Sequence, residues 1–268
     1  MAPDPDRVKQ LESLAEKLGQ AWLKNSLIEE PNYSEIPQSR EEAYFVQDQM
    51  AQFIDKDISG WKVGATSAKM RELDGHDDVI PGRIFSPVTF VGPIQKLSID
   101  QFPNARVETE FAFRLNEDIP IRDQNWTAAD LENKVSMHPA VEIIGNRHQL
   151  KSVTKSEKSL MTIADNGGGI GFVFGTAFHD WKNLNFRNHS ICLQVDDNPE
   201  AENFLGEMRC QPLEAVADLV NHLSSREISL REGDFVSTGA ATVPQPFLKG
   251  SYVTADFGII GKIQITFV

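Results

Sequence analysis

Glu108 and Glu110 stand one residue apart in the run Arg106-Val107-Glu108-Thr109-Glu110-Phe111-Ala112-Phe113-Arg114-Leu115. The run alternates, so a strand over 106–115 places Val107, Thr109, Phe111 and Phe113 on one face and both glutamates on the other. Neighbouring carboxylates repel, and on a buried face each also forfeits hydration worth several kcal/mol. A divalent cation bound between them removes both costs; a solvated strand face with two exposed acids is the plain alternative. Glu142 adds a third acid, in the middle of the apolar run Pro139-Ala140-Val141-Glu142-Ile143-Ile144-Gly145. Such a run reads as a strand buried on both faces, where a glutamate needs a charged partner or a metal. Arg147 is the candidate partner. As a set, three carboxylates form a hard, all-oxygen site that suits Mg²⁺ or Mn²⁺ with positions left for water and substrate.

Lys62 lies between Trp61 and Val63 with glycines at 60 and 64. On a strand it points away from both apolar neighbours, between two positions without side chains, which leaves room for a ligand to approach. A lysine so placed can pair with a substrate carboxylate or move a proton; an ordinary lysine on an edge strand also fits. Asp165-Asn166-Gly167-Gly168-Gly169 is a glycine-rich turn whose backbone can take positive φ and present N–H groups to an anion. It lacks the βαβ context of a nucleotide loop. The segment Asp74-Gly75-His76-Asp77-Asp78-Val79-Ile80-Pro81-Gly82 reads as a loop. The six histidines show no zinc-ligand spacing, and no Gly-x-Ser-x-Gly elbow occurs.

The elements that must position these groups are mostly short strands. Apolar residues at three- and four-residue spacing predict a helix over 6–27, and Ser39-Arg40-Glu41-Glu42 reads as a capping box opening a second helix to about Phe53. From Gly60 onward, strands are expected at 60–65, 88–91, 106–115, 140–145, 170–175, 190–196, 235–238, 252–257 and 262–268. Helices are expected at about 127–134 and from Pro212 to Ser224. Strands outnumber helices without alternating with them, which argues for a β-rich α+β fold and against a doubly wound parallel sheet. The division suggested is an N-terminal helical section, 1–58, and a β-rich catalytic part, 59–268, forming one structural unit.

At 268 residues with 40% hydrophobic content, the chain can bury a sizeable core. Its net charge of −13 argues against nucleic acid or an anionic membrane surface as partner, and means that an anionic substrate needs a local cation. Cys192 and Cys210 are too few for a disulfide framework, so reduced thiols in the cytoplasm are expected. The N-terminus has neither the basic nor the apolar region of a signal peptide, and no apolar run reaches the length of a membrane span.

The segments Gly60-Trp61-Lys62-Val63-Gly64, Gly82-Arg83-Ile84-Phe85, Val107-Glu108-Thr109-Glu110-Phe111-Ala112, Pro139 to Arg147, Ala164-Asp165-Asn166, and Gly233-Asp234 followed by Thr238-Gly239-Ala240 are similar, in order and spacing, to those of one family. The chain resembles the 2-keto-4-pentenoate hydratase / 4-oxalocrotonate decarboxylase family of the fumarylacetoacetate hydrolase superfamily. The resemblance implies a rolled β-sandwich, a homo-oligomer, and a Mg²⁺- or Mn²⁺-dependent lyase acting on a small 2-oxo or 2-hydroxydienoate acid. It places the metal on Glu108, Glu110 and Glu142, makes Lys62 and Asp77 the catalytic pair, and assigns Asn166, Gly167, Gly168 and Thr238 to substrate binding. The metal is then a Lewis acid that stabilises a developing enolate. Ile80 stands where some members carry a second acid, and glycines replace serine or alanine in the loop after Asn166. Hydration of 2-hydroxypenta-2,4-dienoate is the leading activity. Decarboxylation of 4-oxalocrotonate-like diacids, acylpyruvate hydrolysis through His76, and a non-catalytic partner subunit are the alternatives.

Overall fold

The computed structural model describes residues 4–151 and 153–268. Met1–Pro3, part of the segment read as lacking a signal sequence, lie outside the described residues. The chain opens with α1 (Pro5–Leu23) and α2 (Arg40–Ile54), followed by β1 (Ile58–Gly64), α3 (Ala68–Asp74), β2 (Ile80–Phe85), β3 (Thr89–Val91) and β4 (Ile94–Leu97). Then come β5 (Arg106–Leu115), α4 (Ala128–Leu131), β6 (Val135–Ile144), α5 (Lys155–Ala164), β7 (Gly169–Phe174) and β8 (Cys192–Val195). The chain closes with α6 (Pro212–Ser224), β9 (Phe235–Ala240), β10 (Gln245–Pro246), β11 (Tyr252–Asp256) and β12 (Lys262–Phe267).

The strands form two mixed sheets. One runs in the order β2-β1-β9-β5-β6-β7-β3, with β10 also paired to β5; the other runs β4-β12-β11-β8. Inward side chains of both sheets share a core with α6, in which Phe111, Phe113, Val141, Val216, Phe257 and Phe267 are wholly or almost wholly buried. This is the β-rich α+β architecture expected from the sequence. The N-terminal helices build a second core with β2 and α5, through Leu14, Leu18, Val46 and Met50 against Ile80, Phe85, Met161 and Ile163.

Local differences from the sequence expectation have local causes. α1 stops at Leu23, short of the expected residue 27, because Asn25 turns left-handed (φ 49°). Ser39 caps α2 by accepting from the Glu42 amide, but Glu42 does not return the bond. Its carboxylate instead takes the Gln38 amide and the Arg7 guanidinium, which ties α1 to α2. Two helices go beyond the sequence expectation: α3, which leads into the loop at Asp74, capped by Ser67 and ended by Gly75 at φ 77°, and α5, opened by a capping box of Thr154 and Glu157.

β5 and β6 pair antiparallel over their full length, with Glu108 opposite Glu142 and Glu110 opposite Ala140. Like charges directly opposite on one sheet face destabilise the pair unless something neutralises them. β9 sets Ala240 beside Glu110 on the other side, and β1 lies parallel to β9 with Lys62 level with Ser237. Four neighbouring strands thus carry the acids, the lysine and Ser237 toward one region.

Candidate active site

The carboxylate oxygens of Glu108, Glu110 and Glu142 lie within 4.8 Å of one another, and all three side chains are buried. Lys62 Nζ sits 3.7 Å from Glu142 Oε1 and donates a 2.7 Å hydrogen bond to the Gly167 carbonyl. The Ser237 hydroxyl donates to Glu110 Oε2. Arg147, the alternative partner for Glu142, turns instead to Asp165: its guanidinium is 3.7 Å from Asp165 Oδ1 and its amide donates to Oδ2. Glu142 Oε1 has no hydrogen-bond partner although it is buried. A Cβ on Gly169 would fall 2.6 Å from that oxygen, so the position needs glycine for the carboxylate to fit.

Burial pushes the Glu108 carboxyl up to about 8, with the charge of Glu110 adding to the rise and Lys62 opposing it. Glu142 is raised well above the usual carboxylate range, first by burial, with Lys62 resisting and the other two acids reinforcing. Three close acids, one orphaned oxygen and two carboxyls that resist ionising are the marks of a site built for a cation. The residues present fit a divalent metal with oxygen ligands.

One expected result follows directly. A raised carboxyl pKa stabilises the fold below the ordinary glutamate range and loses that contribution as pH rises through the folded-state value. The melting temperature of EDTA-treated protein should therefore fall between about pH 5 and pH 8. Mg²⁺, which binds the ionised acids, should restore most of it at the upper end. A pH-independent melting temperature in EDTA would remove the electrostatic reading of the cluster.

Glu108, Glu110 and Lys62 line a cavity of about 350 Å³, together with Thr66, Met70, His76, Ile144, Phe204, Met208, Cys210, Gly239, Ala240 and Pro244. Several expected contacts are not there. Asp77 is exposed in the turn between α3 and β2 and does not line the cavity, whereas its neighbour His76 does, with Nδ1 2.6 Å from Ser159 Oγ. Asn166 does not line it either. Its side chain accepts from the Arg83 amide and donates to the Arg83 carbonyl, both at 2.7 Å, a buried clamp between the loop and β2. Gly167 gives its carbonyl to Lys62, and Gly168 spends its amide on Asp165 and its carbonyl on Gly145. Thr238 is fully buried with its hydroxyl on the Phe111 carbonyl. The loop therefore supports Lys62 from behind rather than presenting donors to the cavity.

Asn166→Ala removes both halves of the clamp and leaves a buried N–H and C=O unpaired, at a cost of roughly 2–4 kcal/mol. Urea denaturation should register that loss; a change as small as that of a surface substitution would contradict the clamp. Ser237 carries no motif signal of its own, since the family segment begins at its neighbour Thr238. Alternation along β9 puts the two on opposite faces. Cys210, also in the cavity wall, donates to the Thr238 carbonyl, and burial lifts its thiol to about 11, so it stays protonated.

No family model matches the chain. The chain is 27% identical over 263 residues to a 2-oxo-hept-4-ene-1,7-dioate hydratase of Escherichia coli, spanning 95% of this chain and 97% of the relative. It is 25% identical to a TodF product hydratase of Pseudomonas putida, over 85% of this chain and 84% of that one. Among solved structures, 4-oxalocrotonate decarboxylase from Pseudomonas putida G7, complexed with magnesium and adipate, superposes with a TM-score of 0.83 at 20% identity, covering 97% of this chain and 98% of that one. The chain is thus similar along nearly its whole length to these two hydratases, and it shares its fold with 4-oxalocrotonate decarboxylase.

Proposed function

We propose that the protein is a divalent-cation-dependent hydratase that converts 2-hydroxypenta-2,4-dienoate or a close analogue into a 4-hydroxy-2-oxo acid. The observation that carries this is the buried cluster of Glu108, Glu110 and Glu142 with the Lys62 amine beside it. Similarity to hydratases supports the choice of reaction. Glu108, Glu110 and Glu142 would hold Mg²⁺ or Mn²⁺, which when bound supplies a Lewis acid for the 2-oxo group and the adjoining carboxylate.

The chain's own residues do the rest. Ser237 fixes one oxygen of Glu110, so that this carboxylate presents the other. Lys62 is the cation at the acid end, held by the Gly167 carbonyl, and it pairs with the substrate carboxylate or moves a proton. In the overall conversion the enol proton leaves its oxygen and carbon 5 gains a proton. Water then adds with its hydroxyl at carbon 4 and its hydrogen at carbon 3. The buried walls around the acids exclude bulk water and strengthen these charge interactions. Asp77 is no part of this chemistry in the arrangement seen here. Reduced Cys192 and Cys210 favour a cytoplasmic protein, and the exposed apolar residues Val91, Ile94, Leu248 and Ile259 favour a homo-oligomer.

The test is product identification by NMR with Mg²⁺- or Mn²⁺-loaded enzyme on three substrates in parallel: the pentadienoate, 4-oxalocrotonate and an acylpyruvate. A 4-hydroxy-2-oxo acid from the first is the expected result. Release of CO₂ from the second alone would make the protein a decarboxylase. Pyruvate from the third alone would make it a hydrolase, with His76 in the cavity as the group to examine.

A further inference from the structure

Part of the cavity lining is apolar. On β6 the next side chain on the same face as Glu142 is Ile144. Pro244, just ahead of β10, reaches the same end of β5 because Gln245 pairs with Val107. Met70 of α3 and, from the segment before Cys210, Phe204 and Met208 line the same cavity. All five are only half-buried, unlike the core residues around them. Apolar surface lining a cavity gains free energy when a ligand covers it. The cationic lysine is not available to this wall, because Lys62 is engaged at the acid end by Gly167 and Glu142. His76, the other lining side chain able to carry a positive charge, meets Ser159 of α5.

We propose that Met70, Ile144, Phe204, Met208 and Pro244 form an apolar tail subsite, and that the substrate is a monocarboxylate whose chain continues beyond carbon 5 as an alkyl or aryl group. The inference rests on the hydratase reading and goes further by excluding a second carboxylate at the far end. A distal carboxylate seated among these five residues surrenders hydration and gains no partner from them. An alkyl tail loses nothing and covers both methionines, whose flexible thioethers adapt to tails of differing shape.

Calorimetric binding of unreactive 2-oxo acids to the Mn²⁺-loaded protein tests this. From 2-oxopentanoate to 2-oxoheptanoate, affinity should rise about fourfold per added methylene. 2-Oxoheptanoate should bind about tenfold or more tightly than 2-oxoheptanedioate of the same length. Met208→Arg should reverse that order, weakening the monoacid and tightening the diacid. Equal or tighter binding of the diacid by the unaltered protein would overturn the tail subsite, as would affinity that ignores chain length while pyruvate still binds. If no 2-oxo acid binds, pyruvate included, the hydratase reading fails and the subsite falls with it.

Discussion

Glu142→Gln should lower kcat/KM by about a thousandfold or more and weaken Mn²⁺ binding by a hundredfold or more, while raising the melting temperature of the metal-free protein. The first two effects follow from the proposed sharing of the metal among the three acids, of which this variant removes one. The charge stabilisation that a cation supplies is worth several kcal/mol, and each 1.36 kcal/mol is a factor of ten in rate. The rise in stability follows from burial. Glu142 has a partnerless oxygen, neighbours of its own sign in Glu108 and Glu110, and a carboxyl that burial drives toward neutrality. A neutral amide of the same shape removes that repulsion. Stability exchanged for function in this way is the signature of a site under strain for its ligand. Differential scanning fluorimetry in EDTA at pH 8, beside an Mn²⁺ titration, reads both signs. A variant that loses stability along with activity would make Glu142 a structural residue instead.

Lys62→Met should act in the opposite sense on every count except the rate. With the Lys62 ammonium removed, the acids of the metal-free protein repel with less relief, since Lys62 is the cation that opposes the rise of both Glu108 and Glu142. Stability in EDTA should therefore fall. Divalent cations, no longer opposed by an ammonium 3.7 Å from Glu142, should bind as tightly as before or more so. The rate should nonetheless drop by 10²–10⁴, the range for losing a positioned proton-transfer group. Single-turnover kinetics at saturating Mn²⁺ separate the two effects. A kcat within threefold of the unaltered protein would remove Lys62 from the chemistry.

The sequence made some of this legible and not the rest, for physical reasons. β5 was readable to the residue because its alternation is uninterrupted, and it fixed Glu108 and Glu110 on one face. β6 was read from 140 only, because Pro139 argues against a central strand. The structure tolerates it just beyond the end of β7, whose first pair with β6 is Phe174 with Ala140. β2 was hidden by Pro81 and Gly82, which an edge strand accepts, and a Cβ on Gly82 would lie 2.2 Å from the Asn166 carbonyl. α5 does carry a sequence signal, the capping box of Thr154 and Glu157.

For the site, period and composition identify which residues are unusual but not where their side chains go. The resemblance makes Asn166 and Thr238 substrate contacts, whereas in the structure their side chains bond to the backbone of Arg83 and Phe111. The apolar wall could not be found at all, since Met70, Ile144, Phe204 and Met208 come from separate segments that only the fold assembles.

The most direct test is the loss of ultraviolet absorbance of 2-hydroxypenta-2,4-dienoate in the presence of Mg²⁺, with Glu108→Ala and an EDTA control alongside. Rapid loss by the unaltered protein alone, with 4-hydroxy-2-oxopentanoate as product, is the expected result. Loss that persists in EDTA or in Glu108→Ala would contradict a metal-dependent site on these acids, and absence of loss both from this dienoate and from its 5-alkyl analogues, with protein that still binds Mn²⁺, would contradict the hydratase itself.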